Sequence, residues 1–136
     1  LTDTIATSQP VEAERSPAGE GHRVWHVPDC FLPSRSVGEH PSHEALCVLN
    51  VSDEDARLEL QLFFADREPV TSVVTVPARR NVHIRTDQPE MVGVTIPRDV
   101  PYGCRIQSSV PVTVQYSRLD AQDGYELMTT AAMPIA

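Results

Sequence analysis

Arg79, Asn81, His83 and Arg85 stand at alternate positions in the middle of this chain. An extended backbone sends successive side chains to opposite faces, so a strand over residues 79–85 gathers all four on one side. Val82 and Ile84 then take the other. The arginine fork matches a carboxylate or phosphate, and a neutral imidazole can donate to or accept from a hydroxyl. Cations this closely spaced repel one another, which makes the row a candidate anion- or polyol-binding stripe. The competing reading is a solvated outer face, neutralised by salt bridges within or between subunits.

Two further groups carry hydrogen-bonding chemistry. His40-Pro41-Ser42-His43-Glu44 has the residue types of a metal site but not the spacing. The zinc-protease order is H-E-x-x-H on a helix, and in an extended chain residues three apart face opposite ways. His43 and Glu44 are therefore expected as hydrogen-bonding groups at a strand start. Gln107, Gln115, Ser117, Arg118 and Asp120 form the other group. Gln115 and Ser117 share a face, the two glutamines can form a ladder or contact sugar hydroxyls, and Arg118 with Asp120 reads as a strand-end ion pair. Cys30 and Cys104 lack the basic surroundings that activate a thiol. No glycine-rich phosphate loop or nucleophile with a positioned base is present, so neither catalysis nor a cofactor is expected.

The elements that must position these groups read as short strands. Residues 1–21 show no period and are expected to be a disordered tail. Strands are expected over residues 22–27, 43–50 (buried on both faces), 57–64, 70–76, 79–85 and 125–132. A hairpin-like pair, 102–108 and 112–118, should turn at Ser109-Val110-Pro111. Residues 57–64 alternate most cleanly, with Leu58, Leu60, Leu62 and Phe64 inside. Residues 86–101 read as a long loop with a short strand at 92–96. Twelve prolines favour many short strands over long helices. The expected fold is all-β, an antiparallel sandwich of about eight strands, jelly-roll-like. It forms one domain over residues 22–136.

Composition narrows the function classes. A chain of 136 residues can build one real core. Its formal net charge of −8 opposes non-specific nucleic-acid binding, which depends on neutralising phosphates. Three cysteines without a C-x-x-C pair fit a reducing compartment with buried thiols. No run reaches the ~18 apolar residues of a membrane span, and no signal peptide is visible. The chain reads as a cytoplasmic domain, and the sequon Asn50-Val51-Ser52 as chance.

Several ungapped motifs, in order, resemble the sensory rhodopsin transducer family. They are Ser42-His43-Glu44, Cys47-Val48-Leu49-Asn50, Asp53-Glu54-Asp55-Ala56, Asp66-Arg67-Glu68-Pro69-Val70 and Val76-Pro77-Ala78-Arg79-Arg80 with His83 and Arg85 in step. Val110-Pro111-Val112, Gln115 and Ser117-Arg118-Leu119-Asp120 complete the pattern. The resemblance runs over about residues 24–132 and implies a small cytoplasmic β-sandwich that assembles as a homotetramer. It also implies signal transduction, with a membrane rhodopsin-like receptor as one partner and a sugar-like or acidic metabolite as the ligand. The site residues it points to are His43, Glu44, Arg79, Arg80, His83, Arg85, Gln115, Arg118 and Asp120. The alternatives are a protein- or DNA-interacting regulator, or an enzyme of carbohydrate metabolism using His43 and Glu44 as acid and base.

Overall fold

A computed structural model describes residues 17–136; most of the expected tail, residues 1–16, lies outside the described residues. Among the described residues, eight antiparallel strands account for nearly all the regular structure. They are β1 (His22–Cys30), β2 (His43–Asn50), β3 (Ala56–Phe64), β4 (Val70–Val76), β5 (Arg80–Arg85), β6 (Tyr102–Asp120), β7 (Glu126–Ala131) and β8 (Met133–Ile135). The all-β antiparallel fold expected from the sequence is the one observed.

The organising element is β6, a single strand of 19 residues. The sequence reading split it into a hairpin because Pro111 falls inside it. Its first half pairs with β3 through Ser108 and with β1, and its second half pairs with β2 from Thr113 and with β7. Residues 109–111 lie between those two sets of partners, where a proline removes no ladder bond to β3 or β2. The inward row Tyr102, Cys104, Ile106, Ser108, Val110, Val112, Val114 and Tyr116 stays buried throughout, so the strand changes sheets without changing face.

One sheet therefore runs β4-β3-β6-β1-β8 and the other β5-β2-β6-β7. Leu58, Leu60, Leu62 and Val76 of the first join Leu46, Val48, Ile84 and Val114 of the second in one hydrophobic cluster. Leu58, Leu60 and Leu62 face inward as their alternation requires, and Phe64 packs against the cluster partly buried. The β2 strand departs from expectation. On its outward face Ala45 is buried, but Cys47 is half-buried and Leu49 exposed, so burial on both faces stops at Ala45. The loop after β5 holds a helical turn, α1 (Pro89–Val92), rather than a strand. Ser72 Oγ donates to the Val92 carbonyl at 2.7 Å, seating that turn on β4.

Candidate binding face and buried carboxylate cluster

Strand register assembles the outer face of β5-β2-β6-β7. Leu49 stands between Asn81 and Thr113, and Cys47 between His83 and Gln115, while Gln115 faces Ala131 on β7. Asn81, His83, Cys47, Leu49, Thr113 and Gln115 line an open concavity of about 310 Å³. Gln115 is oriented by a 2.7 Å bond from its amide nitrogen to Thr129 Oγ1, which leaves its carbonyl oxygen for another donor. Amides, an imidazole and a hydroxyl over a partly apolar floor suit a neutral hydroxylated ligand.

The arginines of the expected stripe do not line this concavity. Arg79 sits in the turn before β5 with φ +57°, the left-handed region that breaks strand alternation. Its guanidinium reaches Asp53 at 3.4 Å. Arg80 turns back to the Arg79 carbonyl at 3.0 Å. Arg85 keeps the alternation but grips both oxygens of Asp87, at 2.7 and 2.9 Å. Internal neutralisation thus accounts for Arg79 and Arg85. His83 and Asn81 remain exposed beside the concavity.

Glu44 lies on the opposite side of β2, fully buried. The Phe31 amide donates to it at 2.8 Å, Thr86 Oγ1 at 2.9 Å and the Tyr102 hydroxyl at 2.6 Å. The Tyr116 hydroxyl completes the set. Tyr102 and Tyr116 come from the two halves of β6, so one carboxylate ties both. Burial, followed by the nearby Glu44 charge, pushes both phenols well above the ordinary tyrosine value. The same two causes push the Cys104 thiol up to about 12 and raise Cys30 further still. These groups stay protonated at neutral pH, as structural thiols and phenols do. Sequence reasoning found Glu44 but missed its partners, which lie 13 to 72 positions away and carry no local signal.

The remaining positions scatter. Arg118 lies opposite Glu44 in register and points its Nη1 toward Asp29 at 4.0 Å, where that buried nitrogen has no hydrogen-bond partner among the described residues. Asp120 instead accepts from the backbone and side chain of Gln122, so the Arg118–Asp120 ion pair does not form. Gln107 accepts from Arg105 at 3.0 Å; on one continuous strand it is eight positions from Gln115, which rules out the glutamine ladder. His43 Nδ1 is within 2.9 Å of the Pro41 carbonyl, whereas the His40 ring lies tilted against Tyr125, centroids 5.5 Å apart. Neither Trp25 nor Tyr116 lines the outer face. Trp25 donates into the His22 and Val112 carbonyls, and Tyr116 is committed to Glu44. Among the described residues no group of three or more His, Cys, Asp or Glu side chains is placed to hold a metal.

Known proteins share this arrangement of strands. The family model described as Anabaena sensory rhodopsin transducer matches residues 20–134. The chain belongs to that family. The solved structure of the Anabaena sensory rhodopsin transducer itself is 40% identical, with a TM-score of 0.65 over 74% of this chain and 90% of that one. The crystal structure of Thermotoga maritima 1070 is 36% identical, with a TM-score of 0.77 over 85% of this chain and 96% of that one. No curated protein sequence matches the chain. In this chain the segments His43-Glu44 and Ser117-Arg118-Leu119 are paired strand segments of one sheet. No helix among the described residues is long and apolar enough to cross a membrane.

Proposed function

We propose that this chain is a non-enzymatic signal-transducing module that binds a neutral sugar or polyol on the outer face of β5-β2-β6-β7. The concavity bounded by Asn81, His83, Thr113 and Gln115 carries this reading. Its polar groups are uncharged or weakly basic, and Arg79 and Arg85 are already paired with aspartates. That charge arrangement favours a neutral ligand over an acidic metabolite. The non-enzymatic part is supported by Glu44, whose carboxylate is enclosed by four donors and has no path to a substrate in solution. The module works in the cytoplasm, consistent with three free cysteines. A rhodopsin-type membrane receptor is the partner that the family's description suggests. A thermal-shift panel of neutral sugars, polyols and sugar acids tests the ligand class. Binding to the native state must raise the midpoint, so neutral sugars should raise it and sugar acids should not. Stabilisation by acids alone, or by neither class at millimolar concentration, overturns the reading.

The module assembles as a homotetramer. Leu127, 76% exposed on β7, supports this, because a leucine so open to water gains from burial against a second copy. Light scattering on the native chain and on Leu127→Glu should show a tetramer that the substitution weakens. A monomeric native chain overturns the assignment.

A further inference from the structure

The outer face of the other sheet carries a slot of about 210 Å³ over Gly103. Phe63 stands opposite Gly103 in register on β3, and Val27 and Pro28 of β1 close the other side. Two sequence features open it. Between Val27 and Cys30 the β1 register slips by one residue against β6, a bulge of the kind that re-aims side chains beside functional sites. The second is the glycine itself, which the backbone does not demand. Gly103 is absent from the positive-φ residues. A Cβ there would meet Val27 O at 3.5 Å and Pro28 Cα at 3.6 Å, ordinary contacts. The three atoms nearest to such a Cβ all belong to Val27 and Pro28 on the β1 side. Glycine inside a strand weakens it, and here its effect is to keep open the space a methyl group would begin to fill.

The rim supplies a charge. Arg105 lies between Gln61 and His26 in register and also lines the slot. Its guanidinium donates to the neutral Gln107 side chain, and none of the ion pairs among the described residues involves it. In a chain of net charge −8, an arginine left without a carboxylate at the lip of an apolar slot favours an anionic ligand. The volume falls below the roughly 300–1,000 Å³ of drug-sized pockets, so the slot suits a single ring.

We propose that the Gly103 slot binds a small aromatic carboxylate, its ring between Phe63 and Pro28 and its acid group on Arg105. This site is separate from the polar face of the other sheet and does not depend on the polyol reading. The test is a ¹H–¹⁵N NMR titration of the full chain with phenylacetate, benzyl alcohol and acetate. Phenylacetate should saturate at millimolar concentration with shifts at Gly103 and Phe63. Benzyl alcohol should bind about tenfold more weakly, as expected for losing a hydrogen bond to a charged group, and acetate should not saturate. Gly103→Ala should fold with an unchanged or higher thermal midpoint and lose phenylacetate binding, and Arg105→Gln should bring phenylacetate to the level of benzyl alcohol. Phe63→Leu, at an exposed position, provides a second loss of binding if Gly103→Ala does not fold. Absence of saturable shifts at Gly103, or unchanged affinity in Gly103→Ala or Phe63→Leu, overturns the proposal.

Discussion

The hydroxyl of Tyr102 donates a 2.6 Å hydrogen bond to Glu44, 58 positions away in the chain and on the other sheet. The bond crosses the inside of the sandwich, and Tyr116 brings the second half of β6 to the same carboxylate. Glu44 thus braces the strand that joins the two sheets. This accounts for a glutamate on the fully buried face of β2.

Removing that brace should be costly. Glu44→Ala strands two phenols, the Thr86 hydroxyl and the Phe31 amide, at about 1–3 kcal/mol per unsatisfied buried group. A loss above about 3 kcal/mol in urea-unfolding free energy is expected, with Tyr102→Phe alone near 1 kcal/mol. A change below about 1 kcal/mol in Glu44→Ala would contradict the bracing role.

Alkaline pH should destabilise the fold. The Cys104 thiol ionises near 9 when unfolded and is pushed up to about 12 in the native state, so between those values the unfolded chain has released a proton that the native chain retains. Stability is then full below pH 9 and falls as pH rises through the native value. Cys30, Tyr102 and Tyr116 shift in the same direction and add to the slope. The thermal midpoint should decline steadily above pH 9, and thiol labelling at pH 8 should find Cys47 before Cys30 or Cys104. A flat midpoint to pH 11 would count against the burial of these groups.

Asn50 ties two turns together. Its amide donates to the carbonyls of Glu54, Val76 and Pro77 at 2.8 to 3.2 Å, and its oxygen accepts from Ser52. Asn50→Ala should lower stability by about 2–3 kcal/mol, through orphaned buried groups, and Asn50→Asp should cost a comparable amount. Equilibrium denaturation checks both. The same burial leaves no free amide for a glycan on the folded chain, in keeping with the reading of the sequon as chance.

The strands were legible where alternation was local. Residues 57–64 and the inward leucines followed from period two alone. The continuity of β6 was hidden by Pro111, because a proline's tolerance depends on which partners flank it, and those partners are distant in sequence. The polar face was half legible. His83 and Gln115 were singled out, and register brings them to either side of Cys47. Arg79 was misplaced because its left-handed backbone broke the alternation, whereas Arg85 keeps its place in the row and is neutralised by Asp87. Asp53 and Asp87 were visible as acidic residues, but their pairing is tertiary. Thr113 carried too little chemical character to stand out until the sheet aligned it beside Leu49, opposite Asn81.

The central claim is the polar face of β5-β2-β6-β7, and a ¹H–¹⁵N NMR titration of the native chain with neutral sugars and polyols tests it most directly. Saturable shifts should cluster at Asn81, His83, Thr113 and Gln115. His83→Ala should weaken binding by about tenfold, as expected for one lost hydrogen bond in a binding site. No saturable shifts, shifts confined to other surfaces, or undiminished affinity in His83→Ala would contradict it.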